Sequence, residues 1–450
     1  SCDISGGYLG ICIRGTSTSV RAKAPVFTNN TITGYAYMGI YSYYTAAVKY
    51  SGNYIKAQVL NGLDYGVYCY YNTSDPTLGG IEISNNTVLT GYYGIYLSNC
   101  DGTSTARQKV FNNFISGSAY TSTVYGLYNA GTDYCDYYHN SVWVKGPSGT
   151  STKRAFYRSS GSNLKIQNNI FAVTGSGSTT QSYAYYNGTS PNTTTMVVDD
   201  NVYYNTINPT NLIYSGGNRT AAVLNTYSAS GDANSVEVEP PFTSYEDLHI
   251  TDGCFKRGTT IAGYGTDIDG ETRVSPPHIG GDEAPSLSID AGVVQVVSPT
   301  SPLTAGSQTV TVKVKNFGTT SLSAIKVAYA VNGGTAISQT FNLATALASC
   351  DTAEVTFSTG FTATSGCYVL DAYTDLTGDG FAGNDSLLGY SAGLPLSGTF
   401  TLGGTTPDYT NFAAAKAVLE CSGVSGPVVF HVRSGTYNEQ LSLGTYSGMS

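Results

Sequence analysis

The sequence predicts an all-β chain, with a parallel β-solenoid of about eight coils followed by an antiparallel β-sandwich. Three observations predict it. A paired turn position recurs at Asn29-Asn30, Asn85-Asn86, Asn112-Asn113, His139-Asn140, Asn168-Asn169 and Asp200-Asn201. A short apolar strand keeps step with it, marked by Ile11, Ile40, Val67, Ile95, Leu127, Phe156, Tyr185 and Ile213. Beyond residue 285 that pattern gives way to strict alternation, as in QTVTVKVKN, which puts Val310, Val312 and Val314 on one face.

The strand markers lie 27 to 32 residues apart and carry no helical period. A repeat of this length with strand signals is a solenoid. No unit buries its own apolar residues, but stacked units do, as parallel strands ~4.8 Å apart. Eight coils then make a rod of roughly 40 Å. Side chains alternate across a strand, so Ile95 and Leu97 are expected inside and Tyr96 outside. Each asparagine pair turns a corner, where Asn tolerates left-handed backbone and its amide can bond the same amide one coil away.

The turns NNTI, NNTV, NNFI and QNNIFAV, with GIY-type strands, resemble the right-handed parallel β-helix of the pectin-lyase-like superfamily over residues 1–284. The composition suits this. Gly 53 and Tyr 38 are high, and the 41% hydrophobic content supports a core. The net charge of −9 comes without a basic cluster, which argues against nucleic acid as a partner. No apolar run approaches a membrane span, and no signal peptide is recognised. Because the chain starts and stops inside repeating elements, it is expected to be part of a longer one. Nine scattered cysteines without a CxxC pair point to neither a zinc site nor a dense disulfide framework, and Cys69 is expected in the core.

In chain order, residues 1–25 give the first coil and 26–217 the regular stack, with insertions at Asn72–Gly80 and Cys100–Lys109. Residues 218–284 lose the pattern and are expected to close the solenoid. Their ending, TDIDGETRVSPPHIGGDEAP, resembles the terminal motif of β-helix domains in large surface proteins of gliding bacteria, matched at Asp267, Asp269, Gly270, Arg273, Gly280, Asp282 and Glu283. Arg273 is expected to pair with these carboxylates and lock the last coil.

Residues 285–392 hold about seven short strands and an Asn332-Gly333 hairpin signal, which read as an immunoglobulin-like sandwich. This region resembles the cell-adhesion-related spacer domains of bacterial surface proteins. Cys350 and Cys367 each open a strand, and those strands run oppositely, which disfavours a bond between them. Residues 393–450 begin a third element. Asn411–Glu420 reads as a helix with Phe412, Ala415 and Leu419 on one face. With the strand Pro427–Val432 and Gly435, Thr436, Tyr437 and Glu439, it resembles the amino-terminal cap and first coil of a second pectin-lyase-like β-helix.

Candidate chemistry is sparse. Asp101 and Asp133 each stand six residues past a strand marker, so they stack on adjacent coils and are the catalytic candidates, with Asp136, His139 and Arg158 as neighbours. Most such aspartates only end turns. Asp375, Thr377, Asp379 and Asp385 match the first half of a calcium loop, while Gly383 and Ser386 break the second half. Calcium is the one cofactor the sequence raises. Thr352 and Ser386 fit the Asp-Ser/Thr-apolar pattern that the resemblance associates with O-glycosylation, and Asn29 and Asn85 fit sequons inside turns the fold already explains. Tyr41, Tyr68, Tyr96 and Tyr128 each follow a strand marker and are expected to form an outward ladder. That ladder either covers a sheet face or binds glycan or protein.

The expectation is a structural, adhesive and fibre-forming segment of an extracellular or cell-surface protein, without enzyme activity. Its partners would be neighbouring repeats or other copies of the chain, and surface glycans. The resemblance implies export by the type IX route. The alternatives are a polysaccharide lyase or glycoside hydrolase working on one ridge, and a non-catalytic glycan-binding surface.

Overall fold

The computed structural model describes residues 1–58, 64–118, 123–147, 149–189, 195–219, 232–445 and 447–448. The chain forms two compact units, Ser1–Pro285 and Ser286–Ser450.

The first unit is a parallel β-solenoid with three sheets. Sheet one runs from Asp3–Ser5 through Thr31–Tyr35, Thr87–Thr90 and Ile170–Gly175 to Val236–Glu237. Sheet two runs from Leu9–Arg14 through Tyr65–Tyr70 and Tyr93–Ser98 to Ile213–Ser215, and ends in the antiparallel strand Asn218–Arg219. Sheet three runs from Val26–Thr28 through Glu82–Ser84 and Cys135–Tyr138 to Val197–Asp199. The eight strand markers all belong to sheet two, and each is the direct register partner of the next. Ile95 and Leu97 are buried and Tyr96 is half-exposed, as alternation requires. Cys69 lies in the same core.

The asparagine pairs divide their labour. The first member adopts positive φ, from 52° to 59° at Asn29, Asn85, Asn112, His139, Asn168 and Asp200. Left-handed backbone is tolerated best by Gly and then by Asn and Asp, so the chain bends there at low cost. The second member is buried and forms a continuous ladder. Asn30 donates its amide to Asn53, Asn53 to Asn86, Asn86 to Asn113, Asn113 to Asn140, Asn140 to Asn169 and Asn169 to Asn201, each at 2.9–3.0 Å. The Asn53 rung had no paired asparagine in the sequence because Gly52, at φ 68°, makes that turn.

The closing segment departs from expectation. Residues 220–231 of the expected 218–284 lie outside the described residues. From Val236 onward the chain folds back along the flank of the stack as a strap. Lys56 pairs with Glu246 at 2.8 Å, Ser116 donates to the Tyr245 carbonyl at 2.6 Å, and Gly281 N–H reaches Ser141 Oγ at 3.0 Å. Trp143 stacks on Phe242. Arg273 pairs with Glu283 at 3.6 Å as expected, yet its second anchor is Asn112 Oδ1 at 3.1 Å, in mid-stack. It therefore fixes the strap to the flank and does not lock the last coil.

The second unit begins with the sandwich. One sheet holds Ala291–Ser298, Thr311–Asn316 and Thr352–Thr356, and the other Ile337–Leu347, Leu322–Val331, Cys367–Thr374 and Ser386–Gly393, all antiparallel. Val310, Val312 and Val314 are fully buried between them with Val327, Tyr329 and Leu370. Asn332 and Gly333 both take positive φ at the hairpin between Leu322–Val331 and Ile337–Leu347.

Past Gly393, strand Leu396–Leu402 pairs in parallel with Val424–Val432 around the helix Phe412–Ser422. Asn411 caps that helix through Ala414 N–H at 2.8 Å. Glu439 accepts from Phe412 N–H at 2.8 Å, and Tyr437 donates to the carbonyl of Arg433 at 2.8 Å. The strand Leu396–Leu402 was not foreseen from sequence. Cys367 is bonded to Cys421, which joins the sandwich to the helix and leaves Cys350 out of any bond to Cys367.

Candidate functional site

The most regular outward surface is sheet two. Tyr41, Tyr68, Tyr96, Tyr128, Tyr157, Tyr186 and Tyr214 are direct register partners. Their ring centroids are 5.4, 4.7, 4.5, 4.5, 5.4 and 4.5 Å apart in sequence order. The four expected ladder residues thus form one column, which continues for three more coils. A second column, Tyr65, Tyr93 and Tyr125, stands beside it at 4.8 and 5.2 Å. It ends where Arg154 replaces tyrosine and lies over Tyr186 at 3.5 Å and Tyr157 at 4.6 Å. The second column was legible in principle, since each of its tyrosines stands two residues before a strand marker. Burial pushes the Tyr125 hydroxyl up to about 12 despite the opposing pull of Arg154.

The catalytic candidates do lie on adjacent coils. Their carboxylates, however, serve the backbone of the next coil. Asp101 Oδ1 accepts from Asp133 N–H at 3.1 Å, and Asp133 Oδ1 accepts from Ser162 N–H and Oγ. Burial, and then the neighbouring Asp133, raise the Asp101 carboxyl, while the Asp133 N–H works against them. The three expected neighbours are engaged elsewhere. Asp136 pairs with Arg107 at 2.7 Å. His139 is buried in the left-handed turn at the far end of strand Cys135–Tyr138, facing Asn168 Nδ2 at 3.0 Å. Arg158 is buried and donates to Gly161 O and Asn187 Oδ1.

Of the calcium candidates, Asp375 and Asp379 are engaged within the sandwich. Asp375 pairs with Lys326, and Asp379 accepts from Ala291 N–H at 3.0 Å and Phe381 N–H at 2.9 Å. Burial raises the Asp385 carboxyl, with Asp379 adding to it. Thr377 is exposed in the same loop. Thr352 and Ser386 are exposed at the first residues of their strands.

One convergence was missed. His249, Asp269 and Asp282 bring ligand-type atoms within 4.8 Å of one another, the single such group among the described residues. His249 is held through both ring nitrogens, Nδ1 against Asp247 and Nε2 against Asp269 at 2.8 Å. Burial opposes its charge, but these two hydrogen bonds and the surrounding carboxylates outweigh it and raise its pKa. Burial raises Asp282 to about 6, with Asp267 and Asp269 adding to the effect. The group works as a clasp within the strap. Two of its members sit in the closing motif, while His249 lies upstream of it, where nothing in the spacing marked it.

Among the described residues no helix is long and apolar enough to cross a membrane. No curated protein and no solved structure matches the chain. Residues 284–379 match the family model of the CARDB domain, an Ig-like, cell-adhesion-related domain of the extracellular or cell-surface type.

Proposed function

We propose that this chain is a structural and adhesive segment of an extracellular or surface protein, with the β-helix as a stiff element and the sandwich as a spacer. The observation that carries this reading is the CARDB match at residues 284–379, next to a solenoid whose candidate catalytic carboxylates are used as turn caps. The asparagine ladder and the tyrosine columns support stiffness, because each rung is tied to its neighbours by side chains as well as by backbone. The disulfide Cys367–Cys421 supports an oxidising compartment. Type IX export belongs to the same proposal and rests on the resemblance of the closing motif.

Electron microscopy of the native protein on its producing cells tests the reading. Fibres or stalks with regular subunit spacing are expected. Separate compact particles would overturn the array. Cleavage of a polysaccharide by the chain, abolished in the Asp101→Asn/Asp133→Asn double variant, would replace the structural reading with the catalytic one.

A further inference from the structure

Between Thr259 and Thr266 the strap arches over the outer face of sheet three. Its two ends are clipped by left-handed asparagines. The Asn168 amide accepts from Thr259 N–H at 3.1 Å and donates to the Thr259 carbonyl at 2.7 Å. Asn112 Nδ2 donates to the Thr266 carbonyl at 2.8 Å. The loop thus spans from the coil of Asn168 to that of Asn112, with the coil of His139 between them.

Under the arch lies a cavity of about 480 Å³, within the range of small-ligand sites. Its floor is the rung series Glu82, Lys109, Asp136 and Lys165, each in direct register with the next. The two lysine rungs are two coils apart, roughly 10 Å at the usual strand spacing. The aromatic lining comes from Phe111 and Tyr138, and Tyr264 of the arch stands edge-on to both at 4.9 Å.

The charges do not balance. Glu82 is paired with Lys49 at 2.6 Å and Asp136 with Arg107 at 2.7 Å. Among the described residues neither Lys109 nor Lys165 stands in an ion pair. The lining charges alone cancel, Lys109 and Lys165 against Glu82 and Asp136, but the pairing partners Lys49 and Arg107 just outside the lining bring the neighbourhood to 4 − 2 = +2, on a chain whose net charge is −9. A positive, partly roofed cavity on an acidic protein concentrates anions.

We propose that this cavity binds an acidic saccharide. Its carboxylate or sulfate groups would meet the Lys109 and Lys165 ammoniums, and the C–H face of a sugar ring would lie against Tyr264, the half-exposed ring of the arch, which itself covers the buried Tyr138. Ammonium groups alone would suit any anion. The aromatic lining selects a ring with apolar faces over an acidic peptide. The site lies on sheet three and is separate from the tyrosine columns of sheet two. The inference deepens the adhesive reading and rests on it for its biological purpose.

The test is calorimetric titration of the whole chain with cellobiouronic acid, and with cellobiose as the neutral match. The acid disaccharide is expected to bind at least tenfold more tightly, with an affinity that falls as salt rises. Lys109→Gln/Lys165→Gln is expected to abolish that preference. Tyr264→Ala is expected to weaken binding of the acid at least tenfold while leaving the circular dichroism of the solenoid unchanged. Equal binding of both sugars, or no binding of the acid, would overturn the proposal. Tetraglutamate binding as tightly as the sugar would reassign the cavity to acidic peptides. Loss of saccharide binding with surface fibres intact removes this site alone, whereas compact particles that still bind the acid sugar remove only the adhesive reading.

Discussion

Asn113 N–H and Asn113 Nδ2 both donate to the single side-chain oxygen of Asn140, at 3.2 and 2.9 Å. Asn113 Nδ2 also reaches the carbonyls of Ile83 and Phe111, so one amide joins three coils. Replacing it leaves buried donors and acceptors unmatched on both sides. Asn113→Ala is expected to cost about 2–3 kcal/mol, read as a lower midpoint in thermal or urea unfolding. Asn30→Ala, on the first rung of the ladder, is expected to cost less.

The turn column separates backbone strain from side-chain work. Asn85 and Asn112 have nearly the same φ, 55° and 52°. Asn85→Gly is expected to leave stability unchanged, and Asn85→Ala to cost about 1 kcal/mol, because a Cβ disfavours left-handed backbone. Asn112→Gly keeps the turn but loses the contacts to Thr266 and Arg273. It is expected to speed hydrogen exchange in the strap, near residues 259–285, and to leave the core strands protected.

The solenoid period, the inward residues and the tyrosine column were all legible in the sequence, because each repeats in step with one marker such as Ile95. The asparagine turns were legible for the same reason, except at Asn53, where Gly52 hid the rung. The strap was not legible. Its contacts join positions far apart in sequence, such as Lys56 with Glu246 and Asn112 with Arg273, and no local pattern marks either residue as the other's partner. The cavity was hidden for the same reason, since its roof at Tyr264 and its floor at Lys109 meet only after the fold-back. The Cys367–Cys421 bond needed the strand Leu396–Leu402 to bring the helix back, and that strand gave no clear alternation.

The strap should respond to pH in both directions. His249 and Asp282 both have raised folded pKa values, Asp282 at about 6, so their contribution is fully present below their unfolded pKa values and is lost as pH rises through the folded ones. Glu283 behaves oppositely. Burial alone would raise it, but the His278 hydrogen bonds and Arg273 hold it below the usual carboxylate value, so its contribution is lost as pH falls through that lowered pKa. Strap protection is therefore expected to peak in mild acid and to weaken toward both alkali and strong acid. Asp282→Asn should flatten the alkaline limb, measured by exchange at Ile250, whose N–H the Asp282 carboxylate accepts at 2.7 Å.

The disulfide closes a separation of 54 residues between Cys367 and Cys421. A chain-entropy treatment of a loop that size gives about 4 kcal/mol. The Cys367→Ser/Cys421→Ser variant is expected to lower the unfolding midpoint of the second unit and to loosen the helix Phe412–Ser422. The midpoint of the solenoid should not move. Two resolved transitions by calorimetry check both halves of this statement.

The strap also changes how the solenoid would fail under load. A plain stack has only nearest-neighbour ties, so it can peel one coil at a time from a free end. Here the chain leaves the stack after its last coils and runs back over the flank, touching Lys56 first, then Asn168, Asn112 and Ser141. Coils far apart in sequence become tied to one return segment. Tension on the stack would be shared across that seam, and unravelling would begin only after the seam had opened.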